Sequence, residues 1–262
     1  MRWVLALLAG CSFDPRPALP AGDGGTDAPG DGVACTGVPD FDGDGRRDDC
    51  DLCPHLSSDD DPDGDGDGVG DACDPQPTVG SDARAIWIAF YAPSDIDGWM
   101  QSRGDGVWSV TAGELVQNSP TSAFSLLDSP APYTDAYFAT SVEVVTASPA
   151  EIGFCLADDQ DPPGSQYYCC GVSAVNTARA VSIWPTGAGE RNDTNAWTGN
   201  HAADQQIDIT GTLLGAKFSC EFAQGAERTT RATAAGDKIG TAVFYTAGQA
   251  RYRYLFLATL GS

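Results

Sequence analysis

From Ala85 onward the chain alternates short apolar and aromatic runs with clusters of Gly, Pro, Asn and Asp. Successive side chains of a half-buried strand point to opposite faces, so such runs predict strands. The candidates are Ile86–Tyr91, Gly106–Val110, Leu115–Asn118, Ser122–Leu127, Ala136–Val145 and Glu151–Leu156. Further along come Tyr167–Ser173, Ala180–Ile183, Lys217–Phe222, Thr229–Ala232, Ile239–Tyr245 and Tyr252–Thr259. Val243 and Tyr245 against Phe244 show the two-residue period. No stretch carries an amphipathic helical period of useful length. Many short strands separated by turn signals predict a mostly β fold, an antiparallel sandwich or barrel. A segment of about 180 residues buries roughly 70% of its unfolded surface, enough for an independent core.

Upstream the pattern stops. Residues 12–34 (SFDPRPALPAGDGGTDAPGDGVA) have too few bulky apolar groups for a core and are expected to be a disordered tether. Residues 35–77 form an aspartate-rich module, and 78–84 a short connection. Within the module, DFDGDGRRDDCD from Asp40 aligns without a gap with DGDGDGVGDACD from Asp63. Each copy has Asp at positions 1, 3, 5, 9 and 12 and Gly at position 6. Calcium takes six to eight hard oxygens, and a loop of alternating carboxylates wraps them round one centre. The expected ligands are Asp40, Asp42, Asp44, Asp48 and Asp51 in the first loop, and Asp63, Asp65, Asp67, Asp71 and Asp74 in the second. The carbonyls of Arg46 and Val69, at position 7, complete the shells. Magnesium fits worse because it demands tight octahedral geometry.

Charge sharpens this reading. The formal net charge is −23, and residues 12–80 hold 18 aspartates against Arg16, Arg46 and Arg47. Lys217 and Lys238 are the only lysines, so phosphate neutralisation has no basis and nucleic acid is excluded as a partner. Like charges at this density oppose compaction unless cations neutralise them. The regular spacing favours bound cations over a plain acidic linker.

The nine cysteines divide unevenly. Met1–Cys11 (MRWVLALLAGC) carries one positive charge, then an apolar run ending in Leu-Ala-Gly-Cys. It resembles the lipobox of bacterial lipoproteins, which implies acylation of Cys11 and a lipid anchor in the cell envelope, periplasmic or surface-exposed. An ordinary cleaved signal with a free Cys11 is the alternative. Eight cysteines remain, an even number suited to disulfides outside the cytoplasm: Cys35, Cys50, Cys53, Cys73, Cys155, Cys169, Cys170 and Cys220. A turn over 158–166 brings Cys155 opposite Cys169 or Cys170. Strand neighbours face opposite sides, so the other of the two is expected to meet Cys220.

The two aspartate loops, the Cys-Asp ending each, and Cys53-Pro54 between them resemble the thrombospondin type 3 repeat. The resemblance implies an irregular, calcium-stabilised module that acts as a spacer, with Cys35–Cys50 and Cys53–Cys73 each clamping one loop. A loop of about 15 residues is worth roughly 3 kcal/mol when clamped. Cys50-x-x-Cys53 also has zinc-knuckle spacing, but an oxidising compartment and hard carboxylates favour calcium. Dockerin modules share the aspartate spacing but lack these cysteines, and Pro54 and Pro75 oppose their helices.

In the C-terminal region, Phe90-Tyr91, Gly98-Trp99, Gly106–Val110 and Gly113–Gln117 open a pattern that Gly236–Thr241 and Ala250–Leu257 close. These stretches resemble the outer strands of laminin-G-like, concanavalin-A-like jelly rolls, which implies two packed antiparallel sheets over 85–262. That fold hosts lectins, adhesion domains and glycoside hydrolases, so it fixes no activity. Phe90, Trp99, Trp108 and Tyr252, at strand spacing beside glycines, read as core before sugar-stacking platforms. The polar segment 184–204 gathers Trp184, Arg191, Asn192, Asn195, Trp197 and His201 and is the expected loop site for a glycan or a surface protein.

A glycosidase needs two carboxyl groups flanking the bond, about 5–10 Å apart. The laminarinase-type enzymes of this fold place Glu-x-Asp-x-Glu on one strand. The nearest run here, Gln206-Ile207-Asp208-Ile209-Thr210, has an amide and a hydroxyl at the glutamate positions. Glu114, Glu143, Glu151 and Glu221 read as solvated strand residues before acids. The sequence therefore points to a non-catalytic envelope lipoprotein whose calcium-stiffened stalk presents a lectin-like jelly roll. A hydrolase and a purely structural envelope protein are the alternatives.

Overall fold

The computed structural model describes residues 35, 39–58, 60–104, 107–118, 124–145, 150–158, 166–175, 178–185, 194–197, 206–215, 217–224, 227–234 and 240–261. Among them are β1 Ala83–Ile88, β2 Met100–Arg103, β3 Trp108–Thr111, β4 Glu114–Gln117, β5 Phe124–Tyr133, β6 Ala136–Val144, β7 Ala150–Asp158 and β8 Gln166–Val175. The series continues with β9 Ala178–Pro185, β10 Thr194–Trp197, β11 Gln206–Leu214, β12 Lys217–Gln224, β13 Glu227–Ala234, β14 Gly240–Ala247 and β15 Ala250–Thr259. A single 3₁₀ turn, Pro93–Ile96, is the only helical element among the described residues.

The strands form two sheets with every pairing antiparallel. The first runs β13-β12-β11-β6-β15-β4-β3, and β1 joins the same edge of β15 as β4. β4 pairs with Ala250–Tyr252, and β1 takes over beside Leu255–Thr259. The second sheet runs β10-β9-β8-β7-β14-β5-β2. Inward residues of both sheets merge into one core. Phe138 on β6 meets Phe154 on β7 at 4.6 Å between ring centres, and Phe244 on β14 meets Tyr252 on β15 at 4.7 Å. Packing is close enough that a Cβ added to Gly211 on β11 would fall on the Phe138 ring. Phe90 and Tyr252 are wholly buried, and Trp99 and Trp108 pack on the same cluster, as expected of core residues. Trp108 Nε1 donates to Ser125 Oγ at 2.9 Å, which satisfies its polar end.

The disulfides resolve the open pairing. Cys155–Cys169 joins facing residues of β7 and β8 on the outer side of the second sheet, beside Leu126, Val243 and Tyr245. Cys170 points the other way and crosses the core to Cys220 on β12. In the aspartate module the pairs are Cys35–Cys50 and Cys53–Cys73.

Three strands go beyond the sequence reading: β2, β10 and β11. β2 is exposed along its whole length and is held by pairing to β5 alone. The supposed loop 184–204 is corrected in part. Trp184 lies in β9, and Thr194–Trp197 is an edge strand paired antiparallel to it.

Candidate functional site

The two aspartate loops have the same geometry. Gly45 and Gly68, at position 6, adopt φ of +100° and +90°, a turn that disfavours side-chain-bearing residues. Their N–H groups donate to Asp40 Oδ2 (2.9 Å) and Asp63 Oδ2 (3.0 Å), folding each loop back on its first carboxylate. This gathers carboxylate oxygens of Asp40, Asp42 and Asp44 within 4.8 Å of one another, and those of Asp63, Asp65 and Asp67 likewise. Asp42 Oδ2 and both oxygens of Asp65 are buried without a donor. Burial, assisted by the charges of Asp44 and Asp40, pushes the Asp42 carboxyl up to about 6. Crowded hard oxygens lacking donors are a set that a hard divalent cation such as calcium can satisfy.

Positions 9 and 12 have other partners. Asp48 Oδ1 accepts from Phe41 N at 2.8 Å and Asp71 Oδ1 from Gly64 N at 2.7 Å, so position 9 closes both loops onto position 2. The second oxygen of Asp48 accepts from Trp87 Nε1 (3.1 Å) and the Tyr91 hydroxyl (2.9 Å), both outside the module. At position 12, Asp51 accepts from Cys53 N at 2.8 Å, and burial pushes its carboxyl up to about 7. Asp74, the equivalent residue, gathers with Asp67 and with Asp82, which lies beyond the repeats.

The module lies across the outer face of the first sheet, where the sequence reading expects a spacer standing clear of the sandwich. Phe41 packs edge-on to Trp87 and Tyr254, each 5.4 Å away. His55 sits 4.8 Å from Phe256, and Cys53, Val69 and Cys73 are buried with Ala139 and Ala258. Arg84 donates to the Asp51 carbonyl at 2.5 Å. The reason lies in β1 and β15, whose outward residues include Trp87, Tyr254 and Phe256, an apolar face that needs a cover.

Beside this contact the module and sheet enclose a cleft of about 810 Å³. Phe41, Asp42, His55, Leu56 and Ser57 form its wall. Ser141, Asp208, Thr210, Glu221, Thr230 and Arg253 line the floor. The register sets Asp208 opposite Ser141 and Ala223, and Glu221 opposite Thr210 and Thr230. Asp208 and Glu221 are thus diagonal neighbours on adjacent strands, a relation that sets residues about 7–8 Å apart, their Cβ atoms somewhat closer. Arg253 donates to Gln206 Oε1 at 2.9 Å and stands 5.5 Å from the Phe41 ring centre. Burial pushes the His55 imidazole down to about 3, and neither ring nitrogen has a partner, so it faces the cleft uncharged.

The cleft was not legible as a site in the sequence, apart from the Gln206–Thr210 run. That run is a strand whose alternate residues Gln206, Asp208 and Thr210 share the outer face. Trp184, Asn195 and Trp197 belong to β9 and β10 in the other sheet. Arg191, Asn192 and His201 lie outside the described residues, as does Cys11. Of the possible acids, Glu114 and Glu143 share Arg251, at 3.9 and 3.5 Å.

No protein family and no curated protein matches the chain. Solved structures do. The CBM2 module of the evolved Dit protein of Lactobacillus casei BL23 phage J-1 superposes with a TM-score of 0.54 at 10% identity, covering 69% of this chain and 98% of its own. A Bacillus subtilis protein of unknown function with a galectin-like fold gives 0.52 at 12% identity, covering 68% and 98%. SCLam, a non-specific endo-β-1,3(4)-glucanase of family GH16, gives 0.52 at 8% identity, covering 69% and 92%. The sandwich is therefore a galectin-like, concanavalin-A-like jelly roll. At such identities the likeness defines the fold alone.

Proposed function

We propose that this chain is a calcium-stabilised, glycan-binding protein of the cell envelope, and that its jelly roll takes a neutral polysaccharide in the cleft beneath the aspartate module. The floor of that cleft carries the reading. Asp208, Thr210, Glu221 and Thr230 offer carboxylate and hydroxyl partners for sugar hydroxyls, in a cleft that Phe41 and Tyr254 also line. Asp208 and Glu221 outnumber Arg253, so uronate or phosphate polymers are repelled. Two structures of similar fold, a CBM2 module and an endo-β-1,3(4)-glucanase, support a saccharide ligand. Calcium in the two loops would neutralise the module, and an acylated Cys11 with tether 12–34 would hold the protein at a membrane.

Titration of calcium-loaded protein with soluble β-glucan and xylan, against alginate, tests the reading. Saturable binding of a neutral polymer, weakened at least tenfold by Asp208→Ala or Glu221→Ala, is expected. Equal binding by parent and both variants would remove the cleft as the site.

A second reading has its own observation. The diagonal relation of Asp208 and Glu221 sets two carboxylates side by side on one face of the cleft, and a glycosidase uses a pair of carboxyl groups. If the cleft is hydrolytic, the parent releases reducing ends from the bound polymer, and Asp208→Asn and Glu221→Gln abolish release while retaining binding.

A further inference from the structure

A third carboxylate cluster lies at the seam between module and sandwich. Oxygens of Asp67, Asp74 and Asp82 come within 4.8 Å of one another. Asp82 is 3% exposed and Asp74 8%, and each has one buried oxygen with no donor. Their other oxygens are engaged. Asp82 Oδ1 accepts from Gly261 N at 2.7 Å, and Asp74 Oδ1 from Gln76 N at 2.6 Å. Asp67 Oδ2 accepts from Asp82 N at 3.0 Å. Among the described residues none of the three has an ion pair. Asp67 Oδ1 accepts from Val69 N at 2.9 Å. Three mutually repelling carboxylates, two of them almost wholly buried and each of those two with an oxygen that lacks a donor, leave a place that a hard divalent cation fills.

We infer that this cluster is a separate calcium site that clasps the module to the jelly roll and so holds one wall of the cleft in place. Its ligands come from both sides of the seam. Asp67 and Asp74 belong to the second loop, whereas Asp82 immediately precedes β1 and is bonded to the backbone just beyond β15. Those two strands carry Trp87, Tyr254 and Phe256, on which the module rests. An ion at the seam pulls the module onto that face. The wall residues Phe41, Asp42 and His55 are carried with it, so cleft occupancy depends on calcium through a residue, Asp82, that does not line the cleft. This rests on the calcium reading of the loops.

The test uses the full chain with Asp82→Asn and, separately, Asp74→Asn, which leaves the Gly261 contact untouched. Calcium alone is titrated calorimetrically, and amide hydrogen exchange is followed over residues 53–58. Asp82→Asn is expected to lose at least tenfold in affinity for one ion while the remaining ions bind as in the parent. Asp74→Asn, at a residue that also counts among the second loop's ligands, is expected to weaken that same ion and the loop ion with it. Each should also need at least tenfold more calcium to protect 53–58. Parent-like stoichiometry, affinity and protection in both variants would overturn the clasp while leaving the loops intact. A correctly disulfide-bonded parent that takes up no calcium would instead overturn the loop reading, and the clasp with it.

Discussion

Asp42, Asp51 and Asp74 are each held above the usual carboxylate range. Burial is the largest cause in all three, and the values are about 6, 7 and 6 against 3.8 for an unperturbed aspartate. A raised folded value means that the calcium-free fold favours the protonated group. That contribution is complete below about pH 4 and is lost as pH rises through about 6 to 7. Calcium requires the carboxylate, so its affinity runs the opposite way and climbs over the same window. Chelated protein is expected to resist urea better at pH 4.5 than at pH 8, and calcium to bind more tightly at pH 8 than at pH 5.5. Denaturation curves and calcium titrations at those values check both signs. Positions 1, 3 and 5 of the loops were legible because the loop itself brings them together within a few residues. Asp48 was legible as loop chemistry but not as a docking group, because its partners Trp87 and Tyr91 lie 39 and 43 residues on. Asp82 and His55 belong to no motif. Their surroundings exist only after folding.

Strands with a strong two-residue pattern, such as β6, β14 and β15, could be read directly because both their position and their burial follow from side-chain type. β11 could not. Its inward Ile207, Ile209 and Leu213 alternate correctly, but Gly211 sits among them where Phe138 leaves no room for a side chain. Edge strands β2 and β10 contribute few core residues and are fixed by a neighbour's backbone, which a sequence pattern does not reveal. The cysteines illustrate the opposite case. Alternation along β8 sends Cys169 to the outer face and Cys170 inward, so pleat geometry dictates that one bond staples a hairpin and the other ties the sheets together. The closed segments span 14 and 50 residues. Chain entropy then assigns about 3 kcal/mol to Cys155–Cys169 and about 4 kcal/mol to Cys170–Cys220. Replacing each pair with serine and measuring guanidinium unfolding is expected to show that order, with the inter-sheet pair costing more.

At the scale of the whole molecule, the outer face of the first sheet is divided between two uses. Its polar half, from Ser141 to Thr230, floors the cleft, and its aromatic half, with Trp87, Tyr254 and Phe256, lies beneath the module. The cover over that aromatic half is a short module tied by two disulfides and built round clustered aspartates. Most proteins hide such a face permanently behind side chains that water cannot displace. If calcium fills the loops as proposed, the shielding is ionic and colloidal behaviour becomes a function of the medium. In chelator the cover loosens, rings that were interior become a sticky plateau, and molecules are expected to self-associate, scattering light in proportion to protein concentration and clearing when calcium returns. On the calcium reading, divalent ions would set whether this protein remains dispersed or clumps.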